Sequence, residues 1–187
     1  MSAPSLVVLA GPNGAGKSTF YRAFLRGAGL KFLSADDLAA KLGLSDADAA
    51  HTADALRAEL LQTGEPFITE TVFSDPVGAK LQFMREALAK GYAVHLIYIG
   101  LDSPEMSEAR VIQRVGEGGH DAPSDRLPRR YRQSLLNLRA AMGFVPTVRV
   151  FDNSSDEAPF HLVLEVVNGV RVDRVDPLPA WLADALR

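Results

Sequence analysis

The sequence predicts an α/β fold in which a mostly parallel, five-stranded sheet carries helices on both faces, followed by a C-terminal β-hairpin. Strand-length runs of Val, Leu and Ile alternate with longer segments of helical periodicity, which is typical of a parallel sheet. A glycine-rich turn separates the first such run from the first helical segment. Near the C-terminus, Asn168-Gly169 interrupts an alternating apolar pattern and indicates a hairpin. With 187 residues, the chain is expected to form a single domain, residues 1–187.

The N-terminal half supplies three of the five predicted strands. Short apolar runs that fit strands buried on both faces are found at Ser5–Ala10, Lys31–Ser34 and Pro66–Glu70. Helical spacing of Ala and Leu predicts helices over residues 17–27, from Asp36 or Asp37 to Leu42, and over 44–64 and 76–90. Gly64 and Gly91 provide the expected stop signals for the last two helices.

The C-terminal half supplies the remaining two strands, at Tyr92–Gly100 and Thr147–Ser155. Between them, two helical patterns over 104–115 and 127–142 are split by the polar segment GEGGHDAPSD, so residues 103–142 are predicted to form a helical lid. The hairpin is predicted over 160–174 and a last helix over 179–186, which makes residues 159–187 the C-terminal appendage of the domain.

Composition excludes several classes of protein. The net charge of −3 gives the molecule no overall field that attracts nucleic acid, and no nucleic-acid partner is expected. The chain has no cysteine, which excludes disulfides, thiolate metal sites and cysteine nucleophiles. No apolar run approaches the roughly 20 residues of a membrane-spanning helix, and no signal peptide is recognisable. A cytoplasmic protein without membrane contact is therefore expected.

The segment GPNGAGKST matches the phosphate-binding pattern Gly-x4-Gly-Lys-Ser. Glycines let the backbone turn tightly, so that its N–H groups approach phosphate oxygens at a helix N-terminus. Lys17 would contact the β and γ phosphates, and the Ser18 hydroxyl would bind Mg²⁺. The preceding strand and following helix disfavour a ligand-free turn. The predicted nucleotide contacts are Gly11, Pro12, Asn13, Gly14, Ala15, Gly16, Lys17, Ser18 and Thr19.

Three classes of nucleotide-binding protein compete for this motif. A GTP switch would need an Asn-Lys-x-Asp string, which does not occur in the sequence. An ATP-driven motor usually shows an apolar strand that ends in Asp or Asp-Glu, whereas the third predicted strand ends in ITET. A small-molecule kinase needs a carboxylate to accept a proton and mobile cations to neutralise the phosphoryl group. The chain offers candidates for both of these roles.

Arginines concentrate in the predicted lid. Arginine suits phosphate because its planar guanidinium is always charged and can donate two hydrogen bonds at once. A lid arginine would stabilise the transferring phosphoryl group, while the alternative for each residue is a solvated helix face. The cluster consists of Arg110, Arg114, Arg126, Arg129, Arg130, Arg132 and Arg139.

Carboxylates follow two of the predicted strands. Asp36 and Asp37 come just after the second strand, where one of them could accept a proton from a bound hydroxyl. The alternative for either aspartate is a helix N-cap, and spacing does not distinguish the two. Glu70 ends an apolar strand, where a carboxylate is costly unless it faces a site or a partner. We expect Glu70 to hold a water of the Mg²⁺ shell or to bind an acceptor hydroxyl.

Taken together, these motifs resemble the zeta-toxin family of P-loop kinases. The resemblance runs from about Leu6 to Asn153 and rests on the segments GPNGAGKST, SADDLA, PFITETVFSD, GYAVHLIYIGLDSPEMSEARVIQRVGEGGHDAP and RRYRQSLLNL. It implies a P-loop kinase-like, three-layer fold similar to nucleoside and shikimate kinases. It also implies transfer of a γ-phosphoryl group from ATP or GTP, with Mg²⁺, to a hydroxyl of a sugar nucleotide such as UDP-N-acetylglucosamine.

The resemblance also assigns roles to individual residues. Lys17 matches the phosphate lysine, Asp36 the proton-accepting aspartate, and Glu70 the glutamate that contacts the acceptor. Arg114 and Arg130 are predicted to be the lid arginines that contact the transferring phosphoryl group, and Arg126 is the alternative. The resemblance also implies that Asn153 lies near the adenine. After Glu70 the chain departs from the larger toxins, which have further acceptor-binding residues there, and its own Thr71 and Ser74 could hydrogen-bond a sugar.

The short flanks of the matching region imply a minimal, stand-alone version of such a kinase. A partner antitoxin is implied by the toxin systems, although a kinase without a toxin role fits the sequence equally. A different class of function remains open, namely a regulatory module that binds nucleotide, hydrolyses ATP slowly and passes the phosphoryl group to no acceptor.

Overall fold

The computed structural model describes residues 3–116 and 126–187, without the side chains of Arg114 and Val115. The strands in this part of the chain are β1 Ser5–Ala10, β2 Lys31–Leu33, β3 Phe67–Thr71, β4 Ala93–Gly100, β5 Thr147–Asp152, β6 His161–Val167 and β7 Val170–Asp173. They form one sheet in the order β2-β3-β1-β4-β5-β6-β7. The first five strands pair in parallel with one another, while β6 is antiparallel to both β5 and β7.

Helices connect the parallel strands. The first helix, α1, is α-helical over Lys17–Phe20 and continues as a π turn over Tyr21–Leu25 and a 3₁₀ turn over Arg26–Ala28. The other described helices are α2 Ala35–Leu42, α3 Asp46–Thr63, α4 Ala79–Ala89, α5 Pro104–Gly116, α6 Leu127–Met142 and α7 Ala180–Ala185. Among the described helices, none combines the length and apolar character needed to cross a membrane.

The predicted α/β fold is confirmed, with two differences in detail. Strands β6 and β7 extend the sheet beyond β5, because β6 pairs directly with β5 along most of its length. The second difference concerns the start of α2, for which Asp36 or Asp37 was predicted as a possible cap. That prediction is wrong: Ser34 holds the N-cap position, and both aspartates lie in the first turn of the helix.

The core is divided into two apolar layers, one on each face of the sheet. Successive side chains of a strand point to opposite faces, so Leu6 and Val8 of β1 join one layer while Leu9 joins the other. The larger layer receives side chains from α3, α4, α6 and α7, and the smaller layer receives Phe20 of α1. The chain therefore forms three layers, with the sheet in the middle.

This topology brings the predicted site residues to one edge. The carboxyl ends of parallel strands meet at the same edge of a sheet, which is where ligands bind in open α/β folds. The segments after β1, β2 and β3 begin with Gly11, Ser34 and Val72, so the phosphate loop, the start of α2 and the segment before α4 converge there.

Candidate functional site

The loop between β1 and α1 has the close-packed backbone of a phosphate-binding turn. Gly16 has a positive φ of 86°, a conformation that favours glycine. A Cβ atom at Gly11 would lie 2.1 Å from the Ile99 carbonyl oxygen, so only glycine fits beside β4. The loop then leads directly into the N-terminus of α1, whose free N–H groups and partial positive charge favour anions.

Lys17, Ser18 and Glu70 meet beside this loop. Lys17 is 7% exposed, and its Nζ donates a hydrogen bond to the Pro12 carbonyl oxygen at 3.0 Å. The same nitrogen lies 3.9 Å from Glu70 Oε1, and the Ser18 hydroxyl donates to Glu70 Oε2 at 3.3 Å. The predicted lysine, hydroxyl and carboxylate are therefore brought together, although they lie on two different strand ends.

Contacts from the segments that follow β4 and β5 fix the loop in place. Asn153, after β5, donates from Nδ2 to the Ala15 carbonyl oxygen at 3.0 Å, and its Oδ1 accepts from the Phe160 backbone N–H at 3.2 Å. Ser107 Oγ donates to the Asn13 carbonyl oxygen at 2.7 Å. Asn153 is not among the residues that line the cleft, so its described contacts support the loop. Its predicted contact with the adenine stays a prediction.

The two aspartates of α2 have different surroundings. Asp37 pairs with Lys41 one turn later, with 2.7 Å between Oδ2 and Nζ. Asp36 lines the cleft beside the phosphate loop, and its side chain makes no hydrogen bond or ion pair with the described residues. The structure therefore separates two residues that spacing alone could not distinguish, and Asp36 is the one available to a ligand.

The arginines predicted for the lid also fall into two groups, those that line the cleft and those that do not. Cleft-lining side chains are Arg110, Arg126, Arg129 and Arg130. Arg139 instead donates from Nη2 to the backbone oxygen of Arg187 at 3.0 Å, and Arg132 is exposed outside the cleft. Arg114 belongs to α5, but its side chain lies outside the described part of the structure, as do residues 117–125 of the predicted lid. The lid roles of Arg114 and Arg130 stay predictions.

A buried arginine that sequence reasoning missed connects α3 to this edge of the sheet. Arg57 is 6% exposed; its Nε donates to Thr69 Oγ1 at 2.6 Å, and its Nη2 donates to the Glu70 carbonyl oxygen at 3.3 Å. Burial lowers the pKa of the Arg57 guanidinium, while the Asp54 carboxylate, at 2.5 Å, acts in the opposite direction. Arg57 therefore fixes the backbone that carries Glu70.

The segment between β3 and α4 forms another wall of the site. The Thr71 hydroxyl oxygen accepts a hydrogen bond from the Phe73 backbone N–H at 3.0 Å. Phe73 has a positive φ of 62°, although its side chain is buried. Asn137 of α6 donates from Nδ2 to the carbonyl oxygens of Phe73 at 2.9 Å and of Asp75 at 3.0 Å. Thr71, Ser74 and Asp75 consequently line the cleft, and sequence reasoning had singled out only the first two of them.

The phosphate loop, α2, α3, the segment after β3, α5 and α6 surround one cleft with a volume of about 1370 Å³. Its described wall contains eight basic and five acidic side chains, although the whole chain has a net charge of −3. The basic members are Lys17, Arg22, Arg57, Lys80, Arg110, Arg126, Arg129 and Arg130. The cleft is therefore locally suited to an anionic ligand.

Comparison with protein families and sequences gives two findings. A family model described as an AAA domain, AAA_33, matches residues 6–135. An uncharacterized protein of Haemophilus influenzae is 33% identical over 126 residues, which are 65% of this chain and 88% of that protein. The family match includes the phosphate loop.

Solved structures share the fold at low sequence identity. One chain of the AvrRxo1-ORF1:AvrRxo1-ORF2 complex with sulphate ions has a TM-score of 0.74 and 18% identity, over 98% of this chain and 63% of that one. The same complex with ATP gives a TM-score of 0.73 and 17% identity, over 92% and 61%. A chain of the PezAT chromosomal toxin–antitoxin system of Streptococcus pneumoniae gives 0.64 and 18% identity, over 88% and 72%. The present chain thus spans less than two thirds of the AvrRxo1 chain that it matches.

Proposed function

The chain belongs to the AAA domain family AAA_33, and from this premise we propose that it is an ATP-dependent phosphotransferase that acts on a hydroxyl group of a small molecule. The observation that carries the proposal is that the phosphate loop, Asp36, Glu70 and a group of arginines all face one cleft. Its volume of about 1370 Å³ exceeds the roughly 300–1,000 Å³ typical of a site for one small ligand. The cleft can therefore hold a nucleotide and an acceptor side by side.

The nucleotide would bind with its phosphates on the loop that precedes α1. The loop amides and the start of the helix would receive the phosphate oxygens. Lys17, which now contacts the Pro12 carbonyl oxygen and approaches Glu70, would turn to the β and γ phosphates. ATP is the proposed donor, with GTP as a substitute to be tested, and a solved structure of similar fold was crystallised with ATP.

Asp36 would accept the proton of the acceptor. In the proposed step, the acceptor oxygen forms a bond to the γ-phosphorus while the bond between that phosphorus and the β–γ bridging oxygen breaks. The hydroxyl proton moves to the Asp36 carboxylate, and ADP leaves with the bridging oxygen. Asp36 suits this role because it lines the cleft and its carboxylate makes no ion pair with the described residues.

The pair Ser18 and Glu70 fits a magnesium ion. Mg²⁺ prefers oxygen ligands and, in nucleotide sites, takes only one or two from the protein. The described residues contain no group of three His, Cys, Asp or Glu side chains that could hold a metal, so such an ion would depend on the nucleotide for further ligands. The Ser18 hydroxyl and the Glu70 carboxylate are adjacent, 3.3 Å apart, beside the phosphate loop. When bound, Mg²⁺ neutralises charge on the β and γ phosphates.

The acceptor would occupy the part of the cleft between α2 and the segment after β3. Thr71 and Ser74 line this part, and the Thr71 oxygen already accepts one backbone hydrogen bond, which leaves its O–H group able to donate. We propose a sugar nucleotide, such as UDP-N-acetylglucosamine, as the acceptor. Arg129 and Arg130, which also line the cleft, are suited to the phosphates of such a molecule.

A protein partner comparable to an antitoxin is a separate part of the proposal. It is supported by the origin of one structural neighbour in the PezAT toxin–antitoxin system. If the chain is a toxin, induction of the wild type in a bacterial host should arrest growth, whereas induction of Lys17→Ala should not. Equal growth of the two cultures would contradict a toxin role without affecting the proposed chemistry.

Incubation with γ-labelled ATP, Mg²⁺ and a panel of acceptors tests the proposal. The panel contains UDP-N-acetylglucosamine, UDP-glucose, free hexoses and nucleosides, and each reaction is repeated with the Lys17→Ala variant. A labelled acceptor that is formed by the wild type and not by the variant is the expected result. Labelled free phosphate as the only product would favour the regulatory, ATP-hydrolysing alternative.

A further inference from the structure

Asp75, in the segment between β3 and α4, carries a carboxylate that no described residue stabilises. Both of its carboxylate oxygens are buried, and neither has a hydrogen-bond partner among residues 3–116 and 126–187. A buried polar group without a partner is costly, and a carboxylate more so than a neutral group. At the same time Asp75 lines the cleft. The residue is therefore in a position where a bound molecule can supply the missing donors.

The backbone around Asp75 is held in place by a side chain of α6. Asn137 donates to the carbonyl oxygen of Asp75 at 3.0 Å and to that of Phe73 at 2.9 Å. Asn137 in turn accepts a hydrogen bond from Gln133 Nε2 at 3.1 Å. Phe73 keeps a left-handed conformation with a side chain that is only 1% exposed. Strained backbone that is held by several contacts is a frequent feature of ligand sites.

The electrostatics of the cleft restrict the kind of donor that Asp75 could receive. Basic side chains outnumber acidic ones along the described wall, so a cationic molecule would be repelled there. The remaining donors are neutral, and hydroxyl groups are the simplest of them. A carboxylate can accept two hydrogen bonds from neighbouring hydroxyls, one at each oxygen.

We propose that Asp75 is the residue that recognises the acceptor, by accepting hydrogen bonds from hydroxyl groups that do not react. The implied acceptor is a polyhydroxylated, uncharged or anionic molecule, such as a sugar or its phosphate ester. This inference rests on the proposed phosphotransfer. In it the two carboxylates have different roles: Asp36 receives the proton of the reacting hydroxyl, and Asp75 orients the rest of the molecule.

Replacement of Asp75 by Asn tests the inference, because the shape is kept while the charge is lost. The control is Asp37→Asn, which removes a carboxylate that pairs with Lys41 outside the cleft. Three quantities are measured for the wild type and both variants. They are the unfolding midpoint without ligand, the affinity for a non-hydrolysable ATP analogue, and kcat/KM for the panel compound that the wild type phosphorylates best. Asp75→Ser is made in parallel, in case the amide cannot be accommodated.

Asp75→Asn should raise the ligand-free unfolding midpoint by roughly 2–10 °C, because an unpaired buried charge is removed. Affinity for the ATP analogue should stay unchanged, and kcat/KM for the acceptor should fall by about 10- to 100-fold. Asp37→Asn should leave kcat/KM unchanged.

Four results would overturn the inference, and they separate it from the proposed function. Equal kcat/KM in wild type and Asp75→Asn would reject the role of Asp75 and leave the phosphotransferase intact. Loss of ATP-analogue binding, or no rise in the ligand-free midpoint, would assign Asp75 to another role. If the wild type phosphorylates no panel compound while it hydrolyses ATP, the proposed function fails and the inference fails with it.

Discussion

The carboxylates at the start of α2 and at the end of β3 differ in whether the protein supplies an ion-pair or hydrogen-bond partner for them. Asp37 has Lys41 as its ion-pair partner, whereas Asp36 has no such partner among the described residues and faces the cleft. Glu70 is only 10% exposed and is shared between Lys17 and Ser18. Asp36, which the described protein leaves unpaired, is therefore available for a proton transfer, whereas Asp37 contributes to α2 and Glu70 would have to exchange its present contacts for a bound Mg²⁺.

The pair Asp36 and Asp37 gives the most direct test of the proton-accepting role. Asp36→Asn should keep ATP affinity and lower the rate of transfer by about 10²–10⁴-fold, since an amide cannot accept the hydroxyl proton. Single-turnover transfer from labelled ATP measures the rate, and Asp37→Asn serves as the control with an expected rate near that of the wild type. A similar loss in both variants would show that the charge of α2 matters and that neither carboxylate is the base.

The arginines allow a comparison between two neighbours on α6. Arg130 lines the cleft, and Arg132, two residues later, is exposed outside it. If Arg130 stabilises the transferring phosphoryl group, Arg130→Ala should lower kcat by about 10³-fold or more with a smaller change in KM for ATP. Arg132→Ala should behave as the wild type. An Arg130→Ala variant with unchanged kcat would assign this side chain to the solvated surface.

At the level of helices and strands, the sequence predicts the elements with a local signal but not the contacts between distant elements. The phosphate loop and the strand that carries Glu70 were predicted because their signals are local: a glycine pattern and an apolar run. Arg57 and Asp75 were missed because their settings depend on contacts between distant segments, such as that of Asn137 with Asp75. Helical periodicity places a residue on a helix, but it does not reveal which strand end that residue contacts.

The packing of α7 on β4 is one such contact between distant elements, and it has a specific steric basis. A Cβ atom at Gly100 would lie 2.1 Å from Cη2 of Trp181, so an alanine there would force the helix away from the strand. Gly100→Ala should lower the free energy of unfolding by about 1–3 kcal/mol or more, as measured by urea denaturation. The control is Gly27→Ala, where nothing lies within 4 Å of the added atom and little or no loss is expected. Equal stability of the two variants would contradict this packing.

At the scale of the whole molecule, a single apolar layer links the two ends of the chain. Leu6 of β1 belongs to the same buried cluster as Leu164 of β6 and Leu182 of α7. The hairpin also continues the sheet through the pairing of β5 with β6. We therefore propose that residues 159–187 are an integral part of one folding unit, and that the site at the strand ends depends on them through Phe160 and its bond to Asn153.

The single folding unit can be tested because the chain contains one tryptophan. Trp181 lies in α7, is 5% exposed and stacks on Tyr98 of β4, so its fluorescence reports the C-terminal segment, while far-UV circular dichroism reports all helices and strands. Since elements that share one core unfold together, the two signals should give the same urea midpoint and the same slope. If the segment were a separate unit, the fluorescence change would come first, at lower urea, and most of the dichroism signal would remain. That result would contradict the proposed single domain, and it would predict an intact phosphate loop in a chain shortened to residues 1–158.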